Sequence, residues 1–272
     1  MKKVLILCSA LSLVGSAFAD SQFIDFESYP TGSIANGYDG WQITNPGWDQ
    51  GVVNSGAISG NQSWHISNAV ASGSYGDQPY TPALMNAAGE LESNNQFNAN
   101  WLWSPEAGGK LGEGITMSID NGTGQRGNYI RLECSNENLG LWRLYGYDYD
   151  GSGFVEHEFL SNIATGTVLN VGFDMTFNAG LQNDVWNVYV NSTNVYSGVG
   201  WEDFFVDNFP GTGPAPVSYD RLLFRAGGTA TAGATGTLID DIYYEAVPEP
   251  ATMSILGLGA LAAWRKKRKS AK

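Results

Sequence analysis

Between residues 23 and 245 the chain is interrupted every 8–15 residues by Gly, Asn, Asp or Pro. The stretches between are too short for ordinary helices, and many alternate apolar and polar residues with period two. That pattern reads as β-strands joined by turns. Eleven runs stand out: 23–26, 64–67, 100–103, 115–119, 129–134, 141–147, 154–160, 168–177, 185–190, 221–224 and 237–244. No long segment carries helical periodicity, and residues 84–91 offer at most one helical turn. Neither an internal repeat nor a domain linker is visible, and the Pro-rich stretch 210–216 reads as a loop. The expectation is one all-β domain, a sandwich or barrel.

The two ends are built differently. Met1-Lys2-Lys3, an apolar run over residues 4–14 and Ala17-Phe18-Ala19 have the order of a secretory signal peptide. The mature chain then begins at Asp20. At the other end Val247-Pro248-Glu249-Pro250 precedes an apolar run over 251–264 and the cluster Arg265-Lys266-Lys267-Arg268-Lys269. The prolines hold the first part extended. The cations stay on the cytoplasmic side of a bilayer. Fourteen apolar residues give about 21 Å of helix against a ~30 Å hydrocarbon core, a short span. The chain thus divides into a signal peptide (1–19), a β-sandwich domain (20–246) and a C-terminal segment of proline motif, apolar run and basic cluster (247–272), with a helix expected at each end.

Charge follows the same division. Eight of the 14 basic residues are terminal, so residues 20–247 carry six basic against 26 acidic residues, a charge of −20. Such a surface repels nucleic acid and anionic membranes. Once the signal peptide leaves with Cys8, Cys134 has no partner for a disulfide and reads as a small buried hydrophobe.

The tail resembles the PEP-CTERM sorting signal of Gram-negative bacteria, on Val247 to Thr252, the apolar run to Trp264 and Arg265 to Lys269. The resemblance implies the Sec machinery and signal peptidase as export partners. It further implies a transient inner-membrane anchor, cleavage near Pro248–Pro250 by an exosortase, and residence at the cell surface or outside it, in association with exopolysaccharide and biofilm. Pro248, Glu249, Pro250, Arg265, Lys266, Lys267 and Arg268 are the sorting residues it points to. Two body segments resemble the concanavalin A-like, LamG-type jelly roll: residues 168–198, with Trp186-Asn187-Val188-Tyr189-Val190-Asn191, and Gly236 to Tyr244, with Ile239-Asp240-Asp241-Ile242. That likeness implies a jelly-roll β-sandwich whose last strand pairs beside the first. It does not give a function.

Four groups of residues are candidates for chemistry. Runs 129–134 and 141–147 read as a hairpin with Ile130, Leu132, Cys134, Trp142 and Leu144 inward. Its other face then collects Tyr129, Arg131, Glu133, Arg143, Tyr145 and Tyr147. Rings for stacking on sugars beside fixed hydrogen-bonding groups suit a glycan, and cross-strand ion pairs on a solvated face are the plainer reading. Trp101 and Trp103, at i and i+2, are either core or a stacking platform. Asp25, Glu27, Asp240 and Asp241 offer oxygens for a structural calcium ion, or are surface acids. The Asp148–Gly153 stretch begins like a calcium loop but has Phe159 at position 12 and reads as a hairpin turn. Catalysis has little to stand on. Glu156 and Glu158 share a strand face, as paired glycosidase carboxylates would, but the acids that would complete a sandwich-glucanase pattern are absent. The chain is therefore read as a non-catalytic glycan-binding protein of the extracellular layer. The alternatives are a structural matrix component and a divergent polysaccharide-degrading enzyme.

Overall fold

The computed structural model describes residues 20–247 except 46, 72–77, 86–94, 123, 179–181, 202, 206–218 and 227–228. The expected signal helix, the Pro-rich loop, the sorting residues and the apolar run 251–264 lie outside the described residues. Among those described, no helix is long and apolar enough to cross a membrane.

Among the described residues thirteen strands form two antiparallel sheets. They are β1 (Asp20–Ile24), β2 (Gln50–Val53), β3 (Ser63–Ile66), β4 (Gln96–Pro105), β5 (Gly114–Asp120), β6 (Ile130–Asn136), β7 (Leu141–Tyr149), β8 (Phe154–Ala164), β9 (Leu169–Thr176), β10 (Val185–Val190), β11 (Thr193–Gly198), β12 (Arg221–Arg225) and β13 (Thr237–Val247). One sheet runs β11-β10-β9-β4-β13-β3-β2, with β1 also on β13, and the other runs β12-β5-β6-β7-β8. All eleven runs read from sequence are strands, and the last strand does pair with the first, Phe23 opposite Tyr243 and Ile24 opposite Ile242. The short strands β2 and β11 were not read.

Alternation explains the core. Phe97, Ala99, Trp101 and Trp103 of β4 point inward with Leu169, Val171, Phe173 and Met175 of β9. The expected inward set of β6 and β7, from Ile130 to Leu144, is wholly buried. Rings from the two sheets meet: Trp64 and Phe224 lie edge to face at 5.1 Å, and Phe159 and Trp186 at 6.0 Å. This is a β-sandwich with one continuous core. The N–H of Trp103 donates to Thr237 Oγ1 at 2.9 Å, so a polar atom buried with the ring is satisfied.

A bulge in β13 between Asp240 and Tyr243 reverses its alternation. Thr237 and Ile239 face the core before it, and Ile242, Tyr244 and Ala246 after it. Asp241 takes φ 47° there. One extra residue in a strand does this, and it turns Tyr243 and Glu245 to the outer face.

Candidate functional site: an aromatic cavity beside the five-stranded sheet

The β6–β7 hairpin turns at 137–140, as expected, and its outward face carries a continuous network. Glu133 sits at the centre. Its carboxylate accepts from Arg131 Nε (2.8 Å), Arg143 Nη2 (3.1 Å) and Tyr145 Oη (3.0 Å). Arg143 reaches on through Nη1 to Glu156 of β8 (2.7 Å), which also accepts from Tyr147 Oη (2.7 Å). The Arg143 guanidinium lies 4.1 Å from the Tyr145 ring centroid. Bonding to Tyr147 and then Arg143 holds the Glu156 carboxyl below its usual range.

This placement corrects part of the expected sugar-binding set. Arg131 is buried, its guanidinium bound also to the Gly112 carbonyl at 3.1 Å, and Tyr145 is buried with its hydroxyl on Glu133. Both support the face and are not open to a ligand. Trp101 and Trp103 are fully buried between the sheets, because β4 is an interior strand with that face to the core. Neither is a surface platform. Tyr129, Arg143 and Tyr147 are partly exposed and remain available, as does Glu133 in part.

The ligand-sized space lies just beyond the network. A cavity of about 450 Å³ is lined by Arg126, Tyr129, Tyr147, Phe154, Trp201 and Phe204 among others. Trp201 and Tyr129 are stacked at 5.5 Å with planes 9° apart. Phe154 lies 4.5 Å from Trp201 and 4.8 Å from Phe204, centroid to centroid, and stays 43% exposed. The Arg126 guanidinium sits 4.7 Å from the Trp201 centroid, within cation–π range. Trp201 is pinned by its backbone N–H to the Gly127 carbonyl (2.9 Å) and by its indole N–H to the Tyr147 carbonyl (2.5 Å). Sequence reading missed Arg126, Trp201, Phe204 and Phe205. A signal was present: three aromatic residues within the five positions 201–205, just after a glycine.

The loop that brings Arg126 to the cavity is held by Asp120. Its Oδ1 accepts from the N–H groups of Gly122 (2.6 Å) and Gly124 (3.1 Å). Among the described residues its other oxygen is buried without a partner. Burial pushes this carboxyl up to about 7, against the opposing pull of those N–H groups and of Arg126 and Arg221.

Three of the four acids expected to share calcium accept hydrogen bonds within the fold. Glu27 is held by Asn61 (N–H 2.6 Å, Nδ2 3.0 Å) and the Gln62 N–H (3.0 Å), which lower its pKa. Asp240 is buried, accepting from Ser63 Oγ at 2.7 Å. Asp25 accepts from the Glu27 N–H. Among the described residues no three His, Cys, Asp or Glu side chains are arranged to hold a metal. Glu27, through Asn61 and Gln62, and Asp240, through Ser63, engage the same stretch of chain, between β2 and the first residue of β3. The Asp148–Gly153 stretch is a hairpin turn between β7 and β8, with Asp150 Oδ1 taking the N–H groups of Ser152 and Gly153 at 2.9 Å each. Asp148 points away, to the Trp186 indole N–H at 2.7 Å.

Fold and cavity together define an antiparallel β-sandwich with an aromatic-walled recess beside one sheet. Residues 246–269 match the PEP-CTERM protein-sorting motif, so the chain carries that signal. The motif implies an exported protein, processed by an exosortase after a stage anchored at its C-terminus. Among curated proteins, none matches the chain in sequence. Among solved structures it is similar to the cellulose-induced protein Cip1 (14% identity, 82% of this chain and 96% of that one, TM-score 0.45). It is similar also to an alginate lyase from Pseudomonas aeruginosa (11%, 68% and 82%, 0.44) and to the CBM2 module of an evolved Dit protein of Lactobacillus casei BL23 phage J-1 (13%, 85% and 98%, 0.40). At these scores the likenesses add nothing about the site, which rests on this chain's own residues.

Proposed function

We propose that this protein is a non-catalytic glycan-binding β-sandwich that engages extracellular polysaccharide through the aromatic cavity. The stacked pair Trp201–Tyr129, with Phe154 and Tyr147 around a space of about 450 Å³, carries the reading. Sugar rings present apolar C–H faces to aromatic walls, and the Arg126 guanidinium is the charged group in the described lining. The ion-pair network under the cavity fixes Tyr147 and so pre-organises one wall, which lowers the ordering cost of binding. A binding role is favoured over hydrolysis because the described lining of the cavity holds no carboxylate, and Glu156 is engaged by Tyr147 and Arg143. Hydrolysis of a glycoside takes a pair of carboxyl groups.

The exported route fits this reading. Residues 1–19 serve as signal peptide for the Sec machinery and signal peptidase, residues 20–246 fold outside, and 247–272 serve as the exosortase substrate. The test is affinity electrophoresis of the exported, processed protein through gels containing a panel of polysaccharides, with Phe154→Ala run alongside. Retardation that Phe154→Ala abolishes supports the proposal. Unretarded migration in every gel would favour a structural matrix component, and release of reducing or unsaturated ends would favour an enzyme.

A further inference from the structure

A second recess lies on the outer face of the eight-stranded sheet, away from the aromatic cavity. Strand register builds it. Tyr189 of β10 stands opposite Gly172 of β9, Gly172 opposite Asn100 of β4, and Asn100 opposite Tyr243 of β13. The next outward row is Asn187, Asp174, Asn98 and Glu245. Two tyrosines therefore flank a floor made of a glycine and an asparagine. They stand three strand spacings apart, about 14 Å. The space between and around them is about 420 Å³.

Each wall is braced from the second row. Tyr243 Oη donates to Glu245 Oε2 at 2.8 Å, and Asn98 Nδ2 donates to Glu245 Oε1 at 2.8 Å. Tyr189 is hydrogen-bonded to Asp174, which raises the pKa of its phenol. Gly172 keeps the floor low, since a Cβ there would stand 3.0 Å from the Ala99 carbonyl oxygen and 3.1 Å from the Asn100 Cβ. The bulge in β13 is what brings Tyr243 and Glu245 to this face, so the recess depends on a specific irregularity of that strand.

We propose that this groove is a second glycan site, for an uncharged oligosaccharide segment lying across strands β10, β9, β4 and β13. Its width suits a chain of several sugar rings, with a tyrosine at either end for ring faces. The Asn98 and Asn100 amides and the two carboxylates offer donors and acceptors for hydroxyls. Asp174 and Glu245 face the space and, among the described residues, no cation lines it, so a polyuronate or sulfated chain is repelled. The arginine-bearing cavity of the other sheet has no such bar. With one site per sheet, a single molecule bridges two polysaccharide strands, and bivalency raises retention without new contacts.

The test uses the exported, processed protein in affinity gels of neutral polymers (hydroxyethylcellulose, xylan, galactomannan, a β-1,3-glucan) and of alginate. The expected result is retardation by at least one neutral polymer, weakened about tenfold by Tyr189→Ala or Tyr243→Ala. Near-UV circular dichroism and melting temperature stay unchanged, and Phe154→Ala leaves that component intact. Absence of retardation in every neutral gel overturns the proposal, as does retardation of the Phe154→Ala protein that survives addition of Tyr189→Ala and Tyr243→Ala. Equal competition by alginate also overturns it. Because Phe154→Ala reads the cavity alone, failure of either site is seen separately.

Discussion

Trp201 and Tyr129, 72 positions apart in the chain, lie face to face with ring centroids 5.5 Å apart and planes 9° from parallel. The first comes from the segment after β11 and the second from the residue just before β6. The stack fixes that segment against the outer face of the five-stranded sheet and makes the two rings one continuous wall. Its indole N–H on the Tyr147 carbonyl ties the third ring to the same frame.

Binding and stability should separate within this wall. Trp201 is buried, so Trp201→Ala removes binding and costs about 3–5 kcal/mol of stability. Phe154 is 43% exposed, so Phe154→Ala should weaken polysaccharide binding tenfold or more while costing about 1 kcal/mol or less. Urea denaturation and affinity gels on the two variants check the split.

The network beneath should respond unequally to loss of its two arginines. Arg131 is almost wholly enclosed, and Arg131→Ala leaves the partly buried Glu133 carboxylate half-compensated, a loss of about 3 kcal/mol. Arg143 is a quarter exposed, and Arg143→Ala should cost about 1 kcal/mol. The order of urea midpoints measures this directly.

Asp120 predicts a pH dependence of stability. Its folded pKa, pushed up to about 7 by burial, lies above the ~3.9 of an unfolded chain. The contribution of the neutral carboxyl is therefore fully present below about pH 4 and is lost as pH rises through 7. From this residue alone the fold should be a few kcal/mol more stable at pH 4.5 than at pH 8, and Asp120→Asn should flatten the profile. Melting temperatures of both proteins across that range test the sign.

The sorting segment makes a prediction of its own. Exported protein should have a C-terminus near Val247–Pro250 by intact mass. Glu249→Ala should leave the full-length chain in the membrane fraction. Normal processing of that variant would contradict an exosortase acting at this motif.

Strands were legible because period-two alternation and turn residues are local signals. The β6–β7 hairpin illustrates it: Ile130, Leu132 and Cys134 were placed inward by alternation alone and are buried. Which of their outward neighbours would stay open was not legible, because Arg131 and Tyr145 are covered by contacts from Gly112 and Glu133 that no local pattern encodes. Trp101 and Trp103 show the same limit. Spacing i, i+2 puts both rings on one side of a strand, but only the position of β4 between β9 and β13 decides that this side is the core. Of the cavity, Tyr129 and Tyr147 were legible as outward rings of the hairpin, whereas Phe154, Trp201 and Phe204 join them only through the sheet topology.

The most direct test is a titration of the exported protein with the oligosaccharide repeat of whichever polymer retards it, followed through the indole N–H resonances. If the cavity binds glycan, the Trp201 indole signal shifts progressively with ligand while those of the buried Trp64, Trp101 and Trp103 stay in place, and Phe154→Ala weakens the response. A stationary Trp201 signal at saturating oligosaccharide, or the lack of any retarding polymer to titrate, would contradict the account.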